Sequence, residues 1–498
     1  MVHFSVQMSL VTNLNGSPTR QFEQKVALTH PVGRSTIPEN EVSFQAADER
    51  EFGGGLVHLT RQAVTFELDS RAAALRTSEV LSHFRISSGG RVLYFGRAVV
   101  ASVVSTGGAF LCEAKLDQLG PDTAYFLPPP GRGGNLEAAY NDFFQAWQNH
   151  YRISEEFKVL VADVQSYLTG VRHWLEAMEF GLKDAGDKLE REHAILDAVA
   201  PRIIAAFNGR HERFEEIIDA LPPEARGVHE DFVRRHWHPL FLGSPFGHRC
   251  HRKPIGYAGD YEMMNMIHRN QPEGRSLFEK LIHRLLVSQW PAKSVRNRVA
   301  HVEENIRNET ARVARAGRTA RILNIGCGPA KEVQDFLQAT PLSNQAEFTL
   351  IDFNDETLAH AGGKLVEAKR QFCRQTQVRT QQISVYELLK RTQRRSADAE
   401  KFDLIYCTGL FDYLAPDTCR ALLELWDDSL SPGGLVLIAN MDDTRPFRYF
   451  IEFILDWQLI YRDRREILSL VPERCRGTTR VVAEPTSVNL FLHIRRPV

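Results

Sequence analysis

The sequence predicts an α/β protein in three parts. A doubly wound parallel sheet occupies residues 311–498, a helical stretch 132–310, and a small antiparallel β-barrel 1–131. Three observations carry this. Beyond Arg321, short apolar runs alternate with helical patterns. A glycine-bearing turn joins the first of these runs to a helix-like stretch. The N-terminal quarter holds only short strand-like runs between turn signals.

The barrel rests on Leu56–Thr60, Ala63–Leu68, Val80–Ile86, Arg91–Val104 and Gly108–Glu113. Ser87-Ser88-Gly89-Gly90 and Thr106-Gly107-Gly108 turn the chain between them, and Leu127-Pro128-Pro129-Pro130-Gly131 reads as a linker. In the middle part, Leu136, Tyr140, Phe143, Phe144 and Trp147 recur at helical spacing, as do Leu160, Val164, Tyr167, Leu168 and Val171. Pro201, Pro222-Pro223, Pro239, Pro245, Pro254 and Pro272 are expected to punctuate the later helices. The C-terminal strands are expected at Arg321–Ile325, Glu347–Asp352, Gln377–Ser384, Phe402–Thr408 and Leu435–Met441. Thr479–Pro485 and Val488–Arg495 read as a closing pair, and Phe447–Tyr461 as an amphipathic helix.

Composition narrows the class. The 498 residues carry 61 basic and 62 acidic side chains, a balance that offers little to a nucleic-acid backbone. Seven cysteines, an odd number with no Cys-x-x-Cys, argue against a disulfide framework and a zinc site; no metal is expected. No signal peptide or transmembrane helix is read, so the expected location is the cytoplasm.

The chemistry concentrates in Ile322-Leu323-Asn324-Ile325-Gly326-Cys327-Gly328-Pro329-Ala330. Gly326 and Gly328 let backbone approach a ligand closely, and the following helix presents free N–H groups. A second strand, Phe348 to Ile351, ends in Asp352, whose carboxylate suits a ribose. NAD and S-adenosylmethionine both satisfy that geometry. The turn is not Gly-x-Gly-x-x-Gly, however. Phe402-Asp403 opens the fourth strand, and Pro432-Gly433-Gly434 precedes the fifth. In this order the motifs resemble class I S-adenosylmethionine-dependent methyltransferases. The resemblance covers 311–498 and implies a Rossmann-like seven-stranded sheet closed by an antiparallel hairpin. It implies S-adenosyl-L-methionine as cofactor, held by Asn324, Gly326, Cys327, Gly328, Asp352, Phe353, Ser384, Val385, Thr408 and Gly409. Two departures stand out: Asn324 replaces the usual acid, and Ala330 a frequent third glycine.

A loop from Phe246 to Glu262 concentrates glycine, histidine, arginine, tyrosine and acid. It offers His248, His251, Tyr257, Asp260 and Glu262 as groups facing the acceptor, with Tyr413 from after the fourth strand, and Asp412 beside it as a further general-base candidate. Arg249, Arg252 or Lys253 could pair with an acceptor carboxylate. Met263, Met264 and Met266 could line an adaptable pocket. Gly256-Tyr257-Ala258-Gly259-Asp260-Tyr261-Glu262, with the methyltransferase motifs, resembles a bacterial family associated with 3-hydroxy fatty acid methyl esters. That resemblance spans about Pro201 to Val498. The barrel resembles a PilZ domain, yet only Asp48 to Gly55 stands where a cyclic-dinucleotide motif would. The second arginine and the Asp/Asn-x-Ser-x-x-Gly strand are missing, so a docking or dimerising barrel is the expectation.

The expected reaction is O-methylation of a small molecule or fatty-acid carboxylate. Methylation of protein or RNA, or a non-enzymatic sensor, are the rival readings.

Overall fold

The computed structural model describes residues 40–59, 63–68, 75–88, 91–105, 110–116, 153–182, 187–391, 400–442 and 447–498, which lie in one compact unit. The predicted linker at 127–131, the helical pattern at 136–147, and the turn residues Gly89, Gly90 and Thr106 to Gly108 fall outside them.

Six strands form the closed barrel: β1 (Asn40–Gln45), β2 (Glu51–Leu59), β3 (Ala63–Leu68), β4 (Val80–Ser88), β5 (Arg91–Ser105) and β6 (Phe110–Leu116). Around the barrel they run β1-β2-β3-β6-β5-β4. Alternation sets the inside: Val64, Phe66 and Leu68 of β3 point in, and the rings of Phe44, Phe66 and Phe84 meet at 5.5–5.7 Å. Sequence reading missed β1 and started β2 five residues late, because Gly53-Gly54-Gly55 lacks the β-branched and aromatic side chains that mark a strand. Those glycines are strand, and a Cβ on Gly54 would run into the Glu67 carbonyl of β3.

Among the described residues, seven helices follow: α1 (Glu155–Phe180), α2 (Lys188–Asp219), α3 (Pro223–Phe241), α4 (Pro245–Arg252), α5 (Tyr261–Arg269), α6 (Leu277–Val287) and α7 (Trp290–Arg315). Ser154, Ser244, Asp260 and Ser276 accept backbone N–H groups at the starts of α1, α4, α5 and α6. Pro223 and Pro245 start helices as expected, but Pro201 and Pro239 lie inside α2 and α3. Proline removes one hydrogen bond to the residue four back; for Pro201 that residue, Asp197, is on the exposed face, where water can serve its carbonyl.

The C-terminal sheet holds β7 (Ala320–Ile325), β8 (Ala346–Asp352), β9 (Gln377–Gln382), β10 (Phe402–Thr408), β11 (Leu430–Met441), β12 (Thr479–Ala483) and β13 (Asn489–Arg495). Their order is β12-β13-β11-β10-β7-β8-β9, with β13 antiparallel to both neighbours. Strand direction alternates residues between two cores: Ile405 and Cys407 join one, Leu404 and Tyr406 the other. Helices α8 (Lys331–Ala339), α9 (Asp355–Gln371), α10 (Val385–Arg391) and α11 (Pro416–Ser429) connect the parallel strands. Then come α12 (Arg448–Ile454) and α13 (Arg464–Ser469).

The expected helix over Phe447–Tyr461 is α12 alone. It stops because Asp456 takes a left-handed conformation (φ 52°) and turns its carboxylate onto Lys253 and Arg234. The short helix leaves the sheet and packs Phe450 against Phe207 and Phe241 of the helical part. Glu215 of α2 receives the N–H groups of Tyr449 and Phe450 at 2.9 and 2.8 Å. The helical part and the sheet therefore share a core.

Candidate active site

Strand order reverses between β7 and β10, so a crevice opens at the carboxyl ends of the strands there. The glycine turn after β7 lies in that crevice. Gly326 (φ 67°) and Gly328 (φ 50°) adopt left-handed backbone, and the N–H groups of Gly326 and Cys327 both reach the Ile351 carbonyl at 2.8 and 3.1 Å. The turn is thus bound to β8, whose last residue is Asp352. That carboxylate is 6% exposed and accepts from Gly328 N–H (3.3 Å) and Asn354 N–H (3.1 Å). Burial raises its pKa, and the backbone donors and Arg76 oppose the rise. Ala330, standing where a third glycine is frequent, is itself left-handed at φ 50°.

One cavity runs over these strand ends. It brings together Gly326, Cys327, Gly328, Asp352, Phe353, Ser384, Val385, Thr408 and Gly409 from the sequence reading. Asn324 is the exception. It is buried beneath the turn and donates to Glu332 Oε1 at 3.0 Å, while the Tyr406 hydroxyl donates to the same oxygen at 2.8 Å. Glu332, in the first turn of α8, lines the cavity instead. Burial raises its pKa, against the Tyr406 hydrogen bond and the charge of Arg298. The acid missing from β7 is supplied by the next helix. The signal in the sequence was Glu332 itself, an acid at the second position of the helix that follows the glycine turn.

The same cavity continues into the helical part between Phe246, Ile267, Leu286, Val295, Phe447 and Ile451. Arg298 of α7 stands at the junction. Its Nη1 is 3.5 Å from where a Cβ on Gly409 would lie, and Gly409 itself has φ 133°. Arg298 makes no ion pair among the described residues; its Nη2 approaches Met264 Sδ at 3.9 Å. Val295, Arg298, Val299 and Val302 share one face of α7, so a cation interrupting that apolar stripe was readable in the sequence. His268 also lines the cavity, and its pKa is lowered to about 3 by burial and by Arg298, leaving the ring neutral at pH 7.

The Phe246–Glu262 loop divides. Tyr257, Ala258 and Gly259 line the cavity, as does Tyr413, whose hydroxyl accepts from Trp457 Nε1 at 2.8 Å. Met264 lines it too, whereas Met263 faces the helical core. His248, His251, Asp260 and Glu262 are not in the lining, and packing explains each. His248 is exposed on α4, and the His251 ring packs on His238 at 4.9 Å. Asp260 is fully buried, caps α5 and takes Arg249 Nε on both oxygens at 2.8 and 2.9 Å. Glu262 holds Asn265 and Arg269. Of the expected cations, Arg249 is thereby engaged, Lys253 is buried against Asp456 at 2.7 Å, and Arg252 is exposed. Asp412 lines the cavity but spends Oδ1 on the Met441 N–H at 2.7 Å.

Residues 323–436 match the family model described as a methyltransferase domain. That segment is thus similar to a methyltransferase domain, and S-adenosylmethionine is the cofactor this similarity leads one to expect. The residues present fit that group. Asp352 has lone pairs beyond its two backbone contacts for ribose hydroxyls, a Cβ on Gly328 would meet open space, and the Glu332 carboxylate suits an ammonium.

Among solved structures, a possible exported protein from Bordetella parapertussis aligns at 15% identity over 60% of this chain and 97% of its own, TM-score 0.41. The N-methyltransferase NodS from Bradyrhizobium japonicum WM9, with S-adenosyl-L-homocysteine, aligns at 15% identity over 39% and 87%, TM-score 0.26. Magnesium protoporphyrin IX methyltransferase from Synechocystis PCC 6803 aligns at 11% over 54% and 99%, TM-score 0.31. A search of curated proteins gives no match. No helix among the described residues is long and apolar enough to cross a membrane, and no three of their His, Cys, Asp or Glu side chains are grouped to hold a metal ion.

Proposed function

We propose that the protein methylates a carboxylate oxygen at the head of an acceptor with a long apolar body, an acyl-chain acid being the class that fits. Arg298 carries this reading. It is a cation without a carboxylate partner among the described residues, beside Gly409, at the head of a chamber of Phe246, Leu286, Val295, Phe447 and Ile451. A mostly apolar chamber headed by a cation selects an amphiphilic anion.

S-adenosylmethionine, when bound, supplies a methyl group on a sulfonium that needs no further activation. The chain's own work is then to hold and to shield. A carboxylate is ionised at neutral pH, so no base is required of His268, which is neutral there, or of Tyr413. Arg298 orients the anion, and the apolar chamber keeps water from competing. Arg249 and Lys253, spent on Asp260 and Asp456, leave that role to Arg298. A near-zero net charge gives no support to an RNA acceptor.

The test is methyl transfer from labelled S-adenosylmethionine to acyl acids of graded length, followed by organic extraction and mild base. Base-labile label is expected in the organic phase. Arg298→Ala is expected to raise KM for the acid about tenfold or more, the worth of a charge-assisted hydrogen bond, with S-adenosylhomocysteine affinity retained. Label confined to a protein or RNA pellet would overturn the proposal.

A further inference from the structure

The barrel does more than precede the catalytic part. Its residues Arg76, Thr77 and Glu79 line the same cavity as Gly326 and Asp352. The segment entering β4 is fastened to three cavity walls. Thr77 N–H donates to the Tyr413 carbonyl at 3.3 Å, Ser78 Oγ to the Gln458 carbonyl at 2.8 Å, and Val80 N–H to the Gly256 carbonyl at 2.7 Å. Glu79 and Tyr257 form an antiparallel bridge. These bonds fix the Arg76 side chain over the nucleoside end of the site. Its guanidinium carbon lies 3.9 Å from the Phe353 ring centroid and 5.2 Å from that of Tyr257. Phe353 directly follows Asp352, and Ser384 and Val385 line the cavity with it.

Glu79 holds Arg76 only in part. Its Oε1 takes the Ala47 N–H at 3.0 Å and its Oε2 the Arg76 backbone N–H at 2.9 Å, while Arg76 Nε stands 3.7 Å away. The two Nη groups donate no hydrogen bond among the described residues, although only 13% of the side chain is exposed. A planar, half-satisfied cation beside an aromatic ring is built to meet a second flat, acceptor-rich surface.

We propose that Arg76 is a cofactor-binding residue, so that the nucleoside half of S-adenosylmethionine is held jointly by the barrel and the sheet. The guanidinium face covers the adenine, and its Nη groups donate to the nucleoside's acceptors. The sheet without its barrel then has an incomplete site. The proposal rests on the cofactor assignment above but not on the identity of the acceptor.

Calorimetric titration of the full-length protein with S-adenosylhomocysteine and with adenosine tests it. Arg76→Ala is expected to weaken both ligands by the same factor, about five- to thirty-fold for a lost stacked cation in a desolvated site. The thermal midpoint and the acceptor KM should hold. Arg76→Lys, which keeps the charge beside Glu79 but loses the plane, is expected to weaken both ligands less. Arg97→Ala removes a docking contact outside the site, the 3.2 Å bond from Nη2 to the Arg252 carbonyl, and should leave both affinities unchanged. Wild-type affinity in Arg76→Ala would overturn the proposal. So would equal losses in Arg76→Ala and Arg97→Ala with matching falls in thermal midpoint, since Arg76 would then act only through docking. A wild-type protein that binds neither ligand would instead remove the cofactor assignment, and this proposal with it.

Discussion

Asp352→Asn tests the expected ribose contact directly. The carboxylate gives one oxygen to each of two backbone donors, Gly328 N–H at 3.3 Å and Asn354 N–H at 3.1 Å. Asparagine keeps the volume and one acceptor. Its amide nitrogen must then face one of the two N–H groups, donor against donor, and cannot accept a ribose hydroxyl on that side. One charge-assisted hydrogen bond is worth about 1.5–3 kcal/mol, so S-adenosylhomocysteine affinity is expected to fall roughly 10- to 150-fold. Stability should change less. Burial raises the pKa of this carboxyl, so replacing it with a neutral amide offsets part of the lost backbone contact. Titration calorimetry gives the affinity, and thermal unfolding of the same sample checks the fold. A folded variant that binds within twofold of wild type would refute the ribose assignment.

Three other outcomes are expected. Gly259→Ala would set a Cβ 2.6 Å from the Tyr413 hydroxyl and 3.0 Å from Trp457 at a left-handed position (φ 73°), so a loss of about 2 kcal/mol or more in chemical denaturation is expected together with lower turnover. Glu215→Ala removes the acceptor of the Tyr449 and Phe450 N–H groups; unfolding free energy should fall by at least about 3 kcal/mol, and acceptor KM should rise as Phe447 and Ile451 lose their support. Asp412, 3% exposed, has its pKa raised from 3.8 to about 6 by burial, against the Met441 N–H, Arg298 and Arg462. The native state then binds the proton more tightly than the unfolded chain, so its contribution to stability is full below pH 3.8 and is lost as pH rises through 6, about 3 kcal/mol in all. Asp412→Asn, which keeps an acceptor for Met441, should show no such loss across that window; urea midpoints at a series of pH values that run parallel to wild type would refute it.

What the sequence made legible was local. Gly326, Gly328, Asp352 and Thr408 each sit at or beside a strand end, and a strand end can be read from an apolar run and the turn that stops it. All seven sheet strands were found this way. What stayed hidden depended on distant partners. Arg76 meets Phe353, and Arg298 meets Gly409, only through packing between elements far apart in sequence. Asp260 illustrates the converse: its composition suggested chemistry, but the residue spends its carboxylate on Arg249 and the start of α5. Helix end and ion pair look alike until the fold is known.

The charges linking the three parts bear on how the chain reaches its native state. Lys115 of the barrel pairs with Glu230 at 2.7 Å, Glu230 with Arg234 at 2.7 Å, Arg234 with Asp456 at 3.0 Å, and Asp456 with Lys253 at 2.7 Å. Lys115 and Asp456 are far apart in sequence and are joined only through Glu230 and Arg234 of α3, so both must arrive at that helix before the row is complete. Closing such loops is entropically expensive, and they are late contacts in a search that finds local structure first. Folding should therefore end in one slow docking phase that joins barrel, helices and sheet together. A chain cut between residues 310 and 311, where composition suggests a boundary, would leave Asp456 in one fragment and both of its cations in the other.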